Sequence, residues 1–204
     1  MSLMPRHIVL DDFLPAGLHD ALLEHALGQQ EMFAPGTVRN SGSEAVGDAR
    51  QNQVCKASLG DLKPELCEAI GNALPAIFEG LGMPAFEPES IELELSVHRD
   101  GDFYRPHVDT FVSENREGVE SDRVVTAVYY FHAQPRGFSG GEFAIHPLAG
   151  GGEPVTIEPR DNRLLAIPAF AVHEVRPIRC ESNDFRAARF AVNAWVHRAR
   201  VPAG

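Results

Sequence analysis

The chain has 204 residues, 44% of them hydrophobic, enough for one domain with a sizeable core and short for two. Its formal net charge of -11 argues against wrapping nucleic acid or adhering to an anionic membrane, since both call for a basic face. Cys55, Cys67 and Cys180 are odd in number and lack a C-x-x-C pairing, so neither a disulfide framework nor a zinc knuckle is indicated, and a reducing cytoplasm suits them.

In chain order, the opening Met-Ser-Leu-Met-Pro-Arg-His carries no apolar segment of the kind that directs export, and no apolar run approaches the roughly 18 residues of a membrane span. A soluble, cytoplasmic protein is expected. Ile8 to Leu10 reads as a strand, and Leu14 to Leu18 opens a helix with Leu18, Leu22, Leu23, Ala26 and Leu27 on one stripe. From Gly36 to Gln53 the composition turns to Gly, Ser, Asn, Asp and Arg without periodicity, which predicts a long surface loop and a candidate entrance bearing Arg39 and Arg50. Asp61, as N-cap, opens a second helix with Leu66, Ile70, Leu74, Ile77 and Phe78 buried. Both helices are expected to cover a sheet.

After Pro88 the period changes to two: Ile91, Leu93, Leu95 and Val97 alternate with Glu92, Glu94, Ser96 and His98. Further strands are predicted over 104–111, 124–132, 141–146, 155–158, 164–168, 173–178 and 189–197, separated by Gly, Pro, Asn and Asp turns. The expected fold is mainly β (α+β): one domain over 1–204, with helical support in 1–90 and a jelly-roll core in 91–198 that encloses a small-molecule cavity.

His107 and Asp109, two apart on a predicted strand, share a face, and His173 supplies a third ligand from far downstream. Two histidines and a carboxylate leave three positions of an octahedral ion open, the arrangement of non-heme Fe(II) oxygenases. A metal would also remove the cost of burying Asp109 unpaired. His132 and His146 are weaker spare ligands, while His7, His19, His25 and His197 read as surface or core residues. On the last strand Arg189, Ala191, Asn193 and Trp195 share one face. An arginine inside an apolar barrel requires an anion, either a bound carboxylate or one of the protein's own, and the Tyr130 hydroxyl can join it. Arg160, Arg163, Arg176, Arg179, Arg186, Arg198 and Arg200 crowd the same quarter of the chain and read mostly as a solvated surface.

The string His107-x-Asp109, Arg123-Val-Val-Thr-Ala-Val-Tyr-Tyr130, Gly140-Gly141-Glu142, His173-Glu-Val175 and Arg189-x5-Trp195 resembles the prolyl 4-hydroxylase-like branch of the Fe(II)/2-oxoglutarate dioxygenases. The resemblance covers about residues 91 to 197 and keeps the family's motif order. It implies a double-stranded β-helix core, iron held by His107, Asp109 and His173, and the distal carboxylate of 2-oxoglutarate paired with Arg189, assisted by Tyr130 with Thr126 nearby. Tyr104, Arg123 and Trp195 match positions near the substrate and the iron pocket. His98 or Val97 stands where many prolyl hydroxylases have a cosubstrate-binding tyrosine, and Arg186 competes with Arg189 as anchor, although the Arg-x5-Trp spacing favours Arg189.

The implied reaction couples oxidative decarboxylation of 2-oxoglutarate by O2 to hydroxylation of an unactivated C–H bond, with ascorbate as a supporting reductant. Asp109 implies hydroxylation rather than halogenation, because related halogenases lack this carboxylate. Three readings follow: a hydroxylase of prolyl or similar side chains in a protein or peptide, a hydroxylase of a small metabolite such as a free amino acid, and a cupin-like barrel that binds metal without turnover. The expected state is a monomer or homodimer. Phe111 to Asp122, polar and containing Gly118, is a candidate lid.

Overall fold

The structure, a computed structural model, describes residues 3–36, 49–111 and 119–200. The N-terminal part contains β1 (Ile8–Asp11), α1 (Ala16–Gly28), β2 (Phe33–Pro35), β3 (Arg50–Gln51), β4 (Gln53–Cys55) and α2 (Leu62–Leu81). The remainder is β-rich: β5 (Ser90–His98), β6 (Phe103–His107), β7 (Ser121–Phe131), β8 (Phe138–Gly140), β9 (Phe143–Ile145), β10 (Val155–Ile157), β11 (Arg163–Pro168), β12 (His173–Val175), β13 (Ile178–Cys180) and β14 (Arg189–Ala199). These form a seven-stranded sheet in the order β1-β11-β7-β14-β5-β4-β2, a five-stranded sheet β10-β9-β12-β6-β3, and the pair β13-β8. Every pairing is antiparallel, as a jelly roll requires.

Strand periodicity sorts the side chains into two cores. On β7 and β14, Val125, Ala127, Tyr129 and Phe131 join Phe190, Val192, Ala194 and Val196 on the face that packs with Leu66, Ile70, Leu74, Ile77 and Phe78 of α2 and Leu22 and Ala26 of α1. Complete burial of each large aliphatic side chain contributes ~1.5–3 kcal/mol, so the helix layer is held mainly by its apolar stripe. The alternate residues, Val128, Tyr130 and Ala191, face inward and meet Phe143, Ile145 and Val175 of the smaller sheet. Both faces of the large sheet are therefore covered, which explains why β7 and β14 read as nearly continuous apolar runs.

Several expectations require correction. Asp61 does not cap α2: it lies in the αR region without a side-chain capping bond, and the firmer signal is at the other end, where Gly82 takes φ 64° and donates to Glu79 O. The end of the predicted loop is ordered, because Arg50–Gln51 pairs with β6 and Gln53–Cys55 with β5 and β2. Most of that loop, including Arg39, and most of the candidate lid, including Gly118, lie outside the described residues. The predicted strand over 173–178 is two strands, since the chain crosses at Pro177 from β12 to β13. Likewise β6 ends at His107, so Asp109 lies just beyond the strand.

Candidate active site

β6 and β12 place His107 and His173 opposite each other in register. Beyond the end of β6, the N–H groups of Asp109 and Thr110 both donate to Ala169 O, at 2.9 and 3.0 Å, and this anchors the turn that brings the carboxylate inward. His107 Nε2 lies 3.7 Å from Asp109 Oδ1, and His173 Nε2 lies 3.6 Å from Oδ2. The three ligand atoms are within 4.8 Å of one another. Each imidazole donates its Nδ1–H to a backbone carbonyl, His107 to Arg105 O at 2.8 Å and His173 to Ala171 O at 2.9 Å, which leaves the Nε2 lone pairs directed inward. Stacking with Tyr104 (3.5 Å between centroids) and Phe143 (4.8 Å) fixes the rings of His107 and His173, respectively.

Burial, reinforced by the neighbouring His173, pushes His107 down to about 4, so it is neutral and able to coordinate near pH 7. Burial alone would raise Asp109. The adjacent His173 and His107 outweigh it, helped by the Trp195 indole N–H, which is aimed at the carboxylate although short of hydrogen-bond geometry, and by Thr126 Oγ1, which donates to Oδ2 at 2.8 Å. Two imidazoles and one carboxylate form a donor set suited to a divalent ion of the Fe(II) type. Among the described residues this is the only such group, and the spare candidates lie elsewhere: His146 pairs with Glu174 at 3.4 Å, and His132 bonds Ala133 O at 3.0 Å.

Register continues the cavity away from the histidines. Inward-facing rows across β5, β14 and β7 run Glu92–Trp195–Thr126, then Glu94–Asn193–Val128, then Ser96–Ala191–Tyr130, and end at His98–Arg189. Arg189 is 1% exposed. Its Nη1 donates to Gly141 O at 3.0 Å and its Nη2 to His98 Nδ1 at 2.7 Å. Among the described residues it forms no ion pair, so it is not spent on one of the protein's own carboxylates; Asp102 attracts it only from beyond contact. Burial, followed by the Arg189 and Arg50 charges, holds His98 neutral, and because its Nδ1 accepts, Nε2 carries the proton. Burial raises the Tyr130 phenol, which remains a donor. His98 Nε2, Tyr130 Oη and Arg189 Nε are buried without a hydrogen-bond partner among the described residues. A buried cation surrounded by unpaired donors fits a carboxylate that arrives from outside the chain. Arg186, the competing anchor, is exposed on a 3-10 turn.

Two further guanidinium–carboxylate pairs flank the metal-ligand cluster. Arg123 grips both oxygens of Glu92, at 2.7 and 2.8 Å, and lies 3.9 Å over the Trp195 ring. Arg50 donates to Glu94 Oε1 at 2.7 Å and lies 5.1 Å over Tyr104. The sequence reading selects neither Glu92 nor Glu94, and it names His98 only as one of two residues at a tyrosine position and Arg50 only as part of a candidate entrance. The signal was present in the alternation along β5, whose polar side reads as solvent-facing but lines the cavity.

Fold and site thus describe a jelly-roll protein whose inner face carries a His-Asp-His cluster that could hold a metal ion and a buried arginine with no ion pair among the described residues. Residues 93–197 match the model of the 2OG-Fe(II) oxygenase superfamily, and the chain belongs to that family. The family's description names Fe(II) and 2-oxoglutarate, a metal ion and a dicarboxylate of the kinds that the His-Asp-His cluster and the buried Arg189 could hold. A PKHD-type hydroxylase of Synechocystis is 26% identical over 197 residues, covering 93% of this chain and 62% of the relative, so the chain spans less than two thirds of that protein. Among solved structures, a Pseudomonas putida prolyl-4-hydroxylase superposes with TM-score 0.67 at 24% identity, covering 96% of this chain and 93% of that one. A Trichoplax adhaerens prolyl hydroxylase, solved with a peptide fragment of hypoxia inducible factor, superposes with TM-score 0.70 at 19% identity, covering 94% and 83%. At these identities the superpositions establish the shared fold. No helix among the described residues is long and apolar enough to cross a membrane.

Proposed function

We propose that the chain hydroxylates a prolyl or similar side chain of a protein or peptide, with His107, Asp109 and His173 holding the iron and Arg189 holding the distal carboxylate of 2-oxoglutarate. One observation carries this reading: the inward rows of β14 run from Trp195, paired with Thr126 that bonds Asp109 of the His-Asp-His cluster, to the buried Arg189, which forms no ion pair among the described residues. When bound, the iron and cosubstrate supply the oxidising chemistry. The chain's own part is positioning. Ala171 O and Arg105 O orient the imidazoles, Thr126 donates to Asp109, and His98 and Tyr130 offer protons to the anion. Val128, Ala191 and Ile167 keep the inner cavity apolar and strengthen these interactions. The choice of a prolyl or peptide target follows from the hydroxylases that share the fold, with Tyr104, Arg123 and Trp195 as substrate-facing residues.

Succinate release from 2-oxoglutarate, by protein loaded with Fe(II) under nitrogen and then exposed to air, tests the catalytic assignment. Turnover is expected to require iron and to disappear in Asp109→Ala. Full activity in that variant, or in His107→Ala, refutes the site. Mass spectrometry of proline-containing peptides and of free amino acids, read for the gain of one oxygen atom, tests the substrate class.

A further inference from the structure

We propose that Arg123 is a positioning residue for the metal: its guanidinium, lying over the Trp195 ring, orients the indole N–H as a second donor to Asp109. This rests on the reading of His107, Asp109 and His173 as metal ligands, and it gives Arg123 and Trp195 a role beyond facing a substrate.

The placement follows from strand register. Trp195 stands opposite Glu92 on one side and Thr126 on the other, so β5, β14 and β7 contribute one inward row beside Asp109. Thr126 Oγ1 already donates to Asp109 Oδ2 at 2.8 Å. An ionised carboxylate offers about four lone-pair sites, so that bond leaves room for a further donor from the same row. Trp195 is 8% exposed, and its Nε1 is buried with no hydrogen-bond partner among the described residues. An indole nitrogen can only donate, and a buried donor without an acceptor is costly. The acceptor at which it is aimed is the Asp109 carboxylate.

Charge sets the direction of the ring from the other side. Arg123 lies 3.9 Å from the Trp195 centroid, the shortest approach of a guanidinium to an aromatic ring among the described residues. A cation over the face is attracted by the ring quadrupole and draws electron density from it, which makes the N–H a stronger donor. The guanidinium is fixed in turn. Arg123 donates to both oxygens of Glu92, and His197 Nε2 lies 3.0 Å from Glu92 Oε2. Glu92 is 45% exposed, so this ion pair adds little stability. Its use is in orientation, because a bidentate fork holds the guanidinium in one place over the indole. The same construction recurs at His107. There Arg50, held by Glu94, lies 5.1 Å over Tyr104, which stacks on the imidazole. Two metal-ligating residues are thus each backed by an aromatic ring under an arginine, and the carboxylates that hold those arginines are two apart on β5.

Mn(II) affinity, followed by electron paramagnetic resonance without cosubstrate or substrate, tests the assignment through a double-variant cycle. Trp195→Phe keeps an aromatic ring and removes the N–H, whereas Arg123→Met keeps the stem and removes the charge and the fork. Each is expected to weaken Mn(II) by about 10-fold, the lower end for a residue that supports a metal ligand, and the double variant is expected to be no weaker than Trp195→Phe alone. Because Trp195 is the single tryptophan, the Zn(II)-loaded protein with its indole nitrogen isotopically labelled shows one indole N–H resonance. In the wild type that proton is expected downfield and slow to exchange, and in Arg123→Met it is expected to move upfield and exchange faster. Should Arg123→Met not fold, Glu92→Gln, which releases the guanidinium, is expected to weaken Mn(II) only while Trp195 is present. Unchanged Mn(II) affinity in either single variant, as a purely substrate-facing pair would give, overturns the proposal. So do losses that multiply in the double variant, or an indole resonance that Arg123→Met leaves in place. Failure of the wild type to bind Mn(II), or binding that survives His107→Ala, would instead refute the underlying reading of the metal ligands.

Discussion

Arg189→Lys tests the anion pocket most directly, because the guanidinium is buried, fixed by Gly141 O and His98 Nδ1, and among the described residues forms no ion pair. Lysine keeps the charge but loses the planar fork that a carboxylate can engage through two N–H groups. A hydrogen bond to a charged group is worth ~1.5–3 kcal/mol, so losing one weakens 2-oxoglutarate by about 10- to 100-fold. The readout is thermal unfolding of the Zn(II)-loaded protein, which requires no turnover. A ligand at about 100 times its Kd stabilises the native state by ~2.7 kcal/mol, and a chain of this size gains about 2–4 °C in Tm per kcal/mol, so the wild type is expected to rise by about 5–10 °C. At the same concentration the variant sits at about 1–10 times its own Kd, worth ~0.4–1.4 kcal/mol, and is expected to rise by no more than about 1–5 °C. An undiminished wild-type shift in Arg189→Lys would refute the assignment of this residue as the anchor.

Thr126→Val removes the hydroxyl that donates to Asp109 Oδ2 while keeping the shape, and is expected to weaken metal binding by about 10-fold or more, as measured by Mn(II) titration under electron paramagnetic resonance. An unchanged Mn(II) affinity would show that Thr126 does not support the ligand. Gly140 has φ 72°, and a Cβ there would lie 2.6 Å from Pro177 O, so Gly140→Ala is expected to lower stability in urea by ~2 kcal/mol or more, with Gly141 O and its bond to Arg189 displaced. A midpoint equal to wild type would refute it. His19 joins α1 to the sheet, bonding Tyr129 Oη at 2.8 Å and lying 3.4 Å from Asp161 Oδ2. The Asp161 hydrogen bond raises the folded pKa of His19, so its contribution is full below the unfolded value and vanishes as pH rises through the folded one. Asp161, which burial alone would raise, is held at about 2 by hydrogen bonds from His19 and the His132 N–H, and its contribution is lost only as pH falls below the ordinary carboxylate range. The stability gap between wild type and His19→Gln is therefore expected to be larger at about pH 5.5 than at about pH 8.5, and equal gaps would sink the linkage.

The extent to which this site is legible from sequence depends on whether a residue declares itself through its own chemistry or only through its surroundings. His107, Asp109 and His173 declare themselves, because few structural roles need those donor types at that spacing, and the cluster forms even though β6 ends before Asp109. Arg189 declares itself through contradiction, a charge amid Phe190, Ala191, Val192 and Ala194 that makes sense only with an anion beside it. Glu92, Glu94 and His98 remain hidden because alternation along β5 describes equally well a strand with one wet face and a strand with one face lining a cavity. What separates the two is the partner across the strand, and register supplies it: Trp195, Asn193 and Arg189 stand opposite those three residues in turn. Arg50 is hidden for a different reason, being separated from Glu94 by a turn-rich stretch whose closing strands are too short to show a period. The residues least visible in sequence are thus those contributed by the first strand of the core and by the segment before it, and these place charge around the metal-ligand cluster. It follows that two chains with the same candidate metal-ligating and anion-holding residues can still present different surroundings to a substrate, because side chains that periodicity alone assigns to solvent stand beside that cluster.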